Sequence, residues 1–224
     1  MLDLVAGLKH PSFGSVYVDN APPSGRTDIG FIFQKDNCLP WLTVEKNLTF
    51  GLDNVDPQHV EHTLEVFELK EKREVFPHRL SGGEQQRVAM ARLALMNAGV
   101  VLCDEPFSSI DSVKRQGMWD RLRALVTNNE ATALVVTHEP QEAFLHADFV
   151  CVLLKGPMRV CASFTLNDGF RQNFELQRSA QAFYVAVLKS GACADVPDCL
   201  HEYTEQNVTS IESLKTATAG SESM

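Results

Sequence analysis

The sequence contains no apolar run approaching the roughly 20 residues that carry a helix across a bilayer. Its longest runs, such as 149–154, are strand-sized, so a spanning segment is not expected and any membrane role would be peripheral. The opening MLDLVAGLK lacks the basic flank and long apolar stretch of a secretory signal, which predicts a cytoplasmic chain. Basic charge is scarce as well: 20 Lys and Arg stand against 29 Asp and Glu, for a formal net charge of −9. A surface that neutralises a phosphate backbone is not expected, and nucleic acid is excluded as a partner. The six cysteines, at 38, 103, 151, 161, 193 and 199, form no Cys-x-x-Cys pair and no cluster with histidine, which argues against zinc. Cys103 and Cys151 lie inside apolar runs and read as small packing residues.

What is present suits one sizeable domain: 224 residues, 44% of them apolar. Residues 1–8 read as the end of a helix closed by Gly7, followed by a short strand at 15–19 and another at 29–34. Asp56 and Pro57 open a helix whose apolar face is Val60, Leu64 and Phe67. A second helix is expected over 81–98, ended by Gly99. Then comes the continuously apolar run 100–103, as in a strand covered on both faces of a parallel sheet. A helix over 112–128, burying Met118, Leu122 and Leu125, leads to a second buried strand at 131–136, which makes a βαβ unit. A short helix from Pro140, a hairpin turning at Gly156-Pro157 and a helix over 172–189 with Leu176, Ala180, Phe183 and Val187 on one face follow. The Ser, Thr, Glu and Gly-rich end reads as a disordered tail over 192–224.

Catalytic groups of open parallel sheets gather at the carboxyl ends of strands, and Asp104 and Glu105 directly follow the run 100–103. Alternation along extended chain turns neighbouring side chains to different sides, so Asp104 can hold a magnesium ion while Glu105 polarises an attacking water. Two acids merely ending a strand are the plainer alternative. The segment Ser81-Gly82-Gly83-Glu84 has the spacing of a capping box. Its two glycines would also let a phosphate approach the amides at a helix N-terminus.

The run Leu-Ser-Gly-Gly-Glu-Gln-Gln-Arg-Val-Ala-Met-Ala-Arg at 80–92 resembles the signature of ABC transporter ATP-binding subunits. Asp104-Glu105-Pro106 then resembles the family's Walker B end, Gln34 its Q-loop glutamine, Ser108-Ser109-Ile110-Asp111 its D-loop and His138 its switch histidine, all in the family's order. Taken alone, the D-loop segment would equally be a helix cap and His138 a structural histidine. The resemblance covers 1–155, and Leu39-Pro40-Trp41-Leu42-Thr43-Val44 and Thr137-His138-Glu139-Pro140-Gln141-Glu142-Ala143 bring it nearest to importer ATPases for nitrate, sulfonate and taurine. It implies an α/β fold, a P-loop NTPase core with a mostly parallel sheet and a helical subdomain at about 36–92, then a hairpin and helix over 156–191. It implies ATP and Mg2+, with Glu105, His138 and Gln34 catalytic, Asp104 and Gln34 at the metal, and Ser81, Gly82, Gly83, Gln85 and Asp111 facing nucleotide across a dimer. Implied partners are a second ATPase subunit, membrane permeases and a solute-binding protein, at the inner face of the cell membrane.

One part of the family pattern is missing. No glycine precedes a lysine anywhere in the sequence, so the Gly-x-x-x-x-Gly-Lys-Ser/Thr loop that cradles phosphates is absent, as are the strands expected before it. Charge-assisted hydrogen bonds contribute about 1.5–3 kcal/mol each, so losing two would weaken nucleotide binding roughly a hundredfold to ten-thousandfold. Two readings follow: a transporter ATPase whose sequence is truncated at the N-terminus, or a non-hydrolysing partner that offers only its signature. A soluble ABC ATPase of translation or DNA repair is disfavoured, because neither paired cassettes nor a coiled-coil insertion is visible. A sheet lacking its early strands would expose an apolar edge, which predicts poor solubility.

Overall fold

The computed structural model describes residues 1–34, 37–108, 110–154 and 159–190. Ser109, the turn at Gly156-Pro157 and the tail expected over 192–224 lie outside the described residues. The chain divides into two compact units, between His138 and Glu139. Strands from either side of the 155/156 boundary given by the resemblance pair with each other.

The first unit is built on a parallel sheet of order β1 (Ile29–Ile32), β2 (Val100–Asp104) and β3 (Thr132–Val136). Ile32 pairs with Cys103, and Asp104 with Val136. The unbroken apolar run of β2 has the expected cause, since both of its faces are covered. Val101 and Cys103 face a core with Ile32, Val88 and Leu122, while Val100 and Leu102 face Leu2 and Phe31. β3 departs from expectation. Thr132 is exposed and the rest of the strand only half-buried, and among the described residues β3 pairs on one side alone.

Before the sheet stands α1 (Leu2–Val5), left through Gly7 at φ +71 as expected. The strand expected at 15–19 does not form. Asp19 and Asn20 both adopt left-handed backbone, and a lone bridge joins Val18 to Ala21. Asp and Asn tolerate that region better than other residues do, so the chain turns where alternation alone suggested extension.

Between β1 and β2 lie α2 (Val44–Thr49), α3 (Pro57–Val66) and α4 (Gly82–Met96). The Asp56 side chain accepts from Gln58 N at 2.9 Å, and Val60, Leu64 and Phe67 are buried, as the helical spacing predicts. α4 packs against β1 at Gly30, where a Cβ would come within 2.2 Å of Leu93 Cδ2, so that a larger residue would force the Leu93 side chain to shift. α4 ends earlier than expected, at Asn97 in the left-handed region (φ 50, ψ 47) and not at Gly99. Gly99 instead leads into β2 against Asp28, whose Oδ2 would lie 3.0 Å from an added Cβ. The crossover from β2 to β3 is α5 (Ser112–Asn128), burying Met118, Leu122 and Leu125 as expected.

The second unit has its own core. It comprises α6 (Pro140–His146), the antiparallel strands β4 (Phe149–Leu154) and β5 (Arg159–Thr165), α7 (Asp168–Gln172) and α8 (Phe174–Ser190). Phe144, Phe164, Phe170 and Phe183 meet at ring distances of 5.6–5.9 Å. The α8 stripe is as the sequence predicts, with Ala180, Phe183 and Val187 buried and Leu176 packed at the margin. Cys151 is a correction: it lies on the outer face of β4 and is exposed, so it is not a packing residue. Among the described residues no helix is long and apolar enough to cross a membrane.

Candidate functional site

Parallel register brings three strand ends to one edge of the first unit. Glu105 follows β2 directly, and its N–H donates to Val136 O at 2.8 Å, carrying the ladder one residue past the strand. The backbone then turns through a left-handed conformation, φ +47, which costs a residue with a Cβ about 1–3 kcal/mol. Ser108 holds the turn by donating to Glu105 O from its hydroxyl at 3.1 Å. That turn aims the Glu105 carboxylate at the ends of the two neighbouring strands. Gln34, two residues past β1, donates through Nε2 to Glu105 Oε2 at 2.7 Å. His138, two residues past β3, places Nδ1 2.9 Å from Oε1. The Glu105 side chain is 24% exposed and that of His138 59%, so the group opens to solvent while its carboxylate is largely enclosed.

Gln34, Glu105 and His138 are thus brought together from widely separated places in the sequence. Asp104 ends β2 beside them, half-buried. Because Gln34 presents its NH2 to Glu105, its carbonyl oxygen is the atom left to face a cation. Oxygen donors of this kind, one carboxylate and one amide carbonyl, suit magnesium, which takes few protein ligands and completes its shell with phosphate and water. Asp104 and Gln34 thus have the donor chemistry expected of them, and among the described residues no group of three or more His, Cys, Asp or Glu gathers to hold a metal ion.

The second group is local. Ser81 caps α4: its Oγ accepts from Glu84 N at 3.3 Å, and the Glu84 carboxylate accepts from Ser81 N at 2.7 Å and from Ser81 Oγ at 2.8 Å. The backbone hydrogen bond from Ser81 holds the Glu84 carboxyl below its ordinary range. Gly82 and Gly83 form the first turn of α4. A Cβ on Gly83 would meet only Ile110 Cγ1, at 4.0 Å. Packing within the described chain therefore does not demand glycine there. Gln85 turns inward, donating through Nε2 to Pro77 O at 3.0 Å, so the amide expected to face nucleotide is used to fasten the preceding turn. Asp111 caps α5 by accepting from Lys114 N at 3.1 Å, which is the plainer of its two expected roles, and Ile110 next to it borders Gly83.

Sequence reasoning missed the asparagines that hold these segments. Asn47 is fully buried; its Oδ1 accepts from Leu39 N, and its Nδ2 donates to the carbonyls of Leu39, Leu42 and Thr43. Asn37 clasps the backbone of Phe33 in the same manner. Nothing in local spacing distinguishes either from an ordinary loop or helix asparagine.

A family model described as ABC transporter matches residues 1–108. The Fe(3+) ions import ATP-binding protein FbpC of Escherichia coli (strain K12) is 35% identical over 166 residues, 70% of this chain and 48% of that protein. Residues 1–108 belong to the ABC transporter family. Other relatives of the chain include the aliphatic sulfonates import ATP-binding protein SsuB of Bacillus subtilis, 34% identical over 71% of this chain and 64% of that one. The nitrate import ATP-binding protein NrtC of Synechococcus elongatus is 32% identical over 70% of this chain and 25% of that one. The chain spans about half the length of the iron-import relatives it matches. Among solved structures, the dimeric post-hydrolysis state of the ATP-binding cassette MJ0796 bound to ADP and Pi superposes with a TM-score of 0.58. It is 29% identical and covers 67% of this chain and 73% of that one. The fold is therefore that of an ABC ATPase, a P-loop NTPase architecture with helices on a parallel sheet.

Proposed function

We propose that this chain is the ATP-binding and ATP-hydrolysing subunit of an ABC importer for a small solute such as a nitrate or sulfonate-like anion. It acts as a dimer on permease subunits at the inner face of the cell membrane, with a solute-binding protein upstream. The observation that carries the reading is the meeting of Gln34, Glu105 and His138 on one carboxylate. Glu105 is the general base for water, and both of its oxygens are engaged, so it must release one partner to accept a water proton. Gln34 and His138 hold the carboxylate in place until then. Asp104 and the Gln34 carbonyl would hold magnesium, which would neutralise charge on the transferring phosphoryl group. Ser81, Gly82 and Gly83 offer helix N-terminal amides to the nucleotide of the opposite subunit, a role supported by the open space beside Gly83.

The test is titration of the purified chain with magnesium-ATP, followed by phosphate release from the chain and from Glu105→Gln. Magnesium-dependent ATP binding in the micromolar to millimolar range, with phosphate release that disappears in the variant, supports the reading; absence of release at saturating nucleotide overturns it. A second reading is favoured by one observation, a signature cap that is complete within α4 itself. In that reading the chain is a non-hydrolysing partner that lends its signature to a competent subunit. Micromolar magnesium-ATP binding by the chain alone rules it out.

A further inference from the structure

Gln34 lies outside the strand ladder, two residues beyond β1, so strand pairing does not fix where its side chain goes. The backbone of the preceding residue is held by one side chain. Phe33 N donates to Asn37 Oδ1 at 2.8 Å, and Asn37 Nδ2 donates to Phe33 O at 2.6 Å. A single primary amide thus supplies Phe33 with the donor and the acceptor that a further strand would otherwise give it. Asn37 is buried, 7% exposed, and its own carbonyl accepts from Arg92 Nη2 on α4. The residue after it, Cys38, donates through Sγ to Gln85 O at 3.6 Å, also on α4.

Arg92 closes the 80–92 run on α4. Burial pushes its pKa down, and among the described residues its hydrogen-bond acceptor is the Asn37 carbonyl. Half-buried on α4, the guanidinium gives up part of its hydration, and the hydrogen bond to Asn37 offsets that loss. We propose that Asn37 and Arg92 are positioning residues for Gln34, holding its amide against Glu105. The chain of contacts runs Arg92 to Asn37 carbonyl, Asn37 amide to Phe33 backbone, and so to the adjoining Gln34. The importance of Gln34's position rests on the reading of this edge as the nucleotide site, but the positioning itself does not.

The test reads the Gln34 side-chain amide signals in the 15N-labelled full chain, identified by their loss in Gln34→Glu. In the wild type this pair is shifted away from the position of free glutamine. Asn37→Ala and Arg92→Met are expected to return it to that position and to speed its hydrogen exchange by about tenfold. Arg92→Lys keeps one donor for the Asn37 carbonyl and restores most of the wild-type signal, which a simple loss of packing volume would not do. Gln34 signals that stay in place in folded Asn37→Ala overturn the proposal. Should Asn37→Ala fail to fold, the wild type decides. The Phe33 amide, which no strand partner protects among the described residues, exchanges slowly if Asn37 clasps it, and exchange at the rate of an unfolded chain overturns the proposal. No nucleotide is present in either measurement, so a failure of ATP binding leaves this outcome readable.

Discussion

The strand-edge group and the α4 N-terminus are assembled in opposite ways. Gln34 and Glu105 are 71 residues apart and meet only because β1 and β2 pair in one register. The Ser81 to Glu84 cap closes on itself within one helical turn. The first group includes backbone held in the left-handed region at Glu105, and the second has the Ser81 and Glu84 amides and the Glu84 carboxylate satisfied locally. Chemistry at the strand edge therefore depends on tertiary structure, while the α4 terminus depends on its own few residues. A substitution at one is expected to leave the other standing.

The largest effect is expected at Glu105. Replacement by Gln keeps the size of the side chain and an oxygen for the Gln34 amide, but removes the base. Phosphate release is expected to fall by about 10²–10⁴-fold, with the melting temperature changed by no more than a few degrees. A fall in activity matched by unfolding would mean that Glu105 acts through structure and would erase the contrast between the two groups. Next in size is Gly30→Ala. Its Cβ would lie 2.2 Å from Leu93 Cδ2, and overpacking of this kind costs about 1–3 kcal/mol. Denaturant unfolding should show that loss. The contact presses on β1, so the Gln34 signals should move as well, whereas the Ser81 cap should not respond.

The same contrast explains what could be read from the sequence. The 80–92 segment is contiguous, and its capping box, glycines and following helix formers are all local signals, so its place at a helix start was legible. The same holds for Asp56, for the buried run of β2 and for the α8 stripe. The meeting of Gln34, Glu105 and His138 was legible only through the resemblance, because no spacing encodes strand register between distant segments. Asn37, Asn47 and Arg92 were illegible for a related reason: their roles are set by the backbone they clasp. β3 misled because its apolar composition suits a covered strand, yet its residues are only half-buried. At 15–19 the alternation was real, but Asp19 and Asn20 supplied a left-handed turn that period-two patterning does not register.

Smaller and purely local is the effect expected for Ser81→Ala. It removes the oxygen that accepts from Glu84 N and the hydroxyl that donates to the Glu84 carboxylate, and losing an N-cap of this type costs about 1 kcal/mol. Chemical denaturation measures it. The Gln34 and Glu105 signals should be unmoved, and a shift there would show that the two groups communicate through α4.

The smallest effect is the most diagnostic of a local origin, because its pH dependence has a fixed sign. Glu84 is held below its ordinary pKa of 4.5, first by the Ser81 backbone hydrogen bond, and the N-terminal end of α4 favours its charge. A carboxylate depressed in the folded state contributes stability above its unfolded pKa and loses it as pH falls through the folded one. Glu84→Gln keeps an acceptor for Ser81 N but not the charge. The variant should therefore be less stable than the wild type by under about 1 kcal/mol near neutral pH, and the gap should close as pH falls below about 4. Paired thermal melts across that range decide the matter. A gap that persists in acid would place the contribution of Glu84 in its packing, and the α4 terminus would then no longer be the self-contained electrostatic cap that sets it apart from the strand edge.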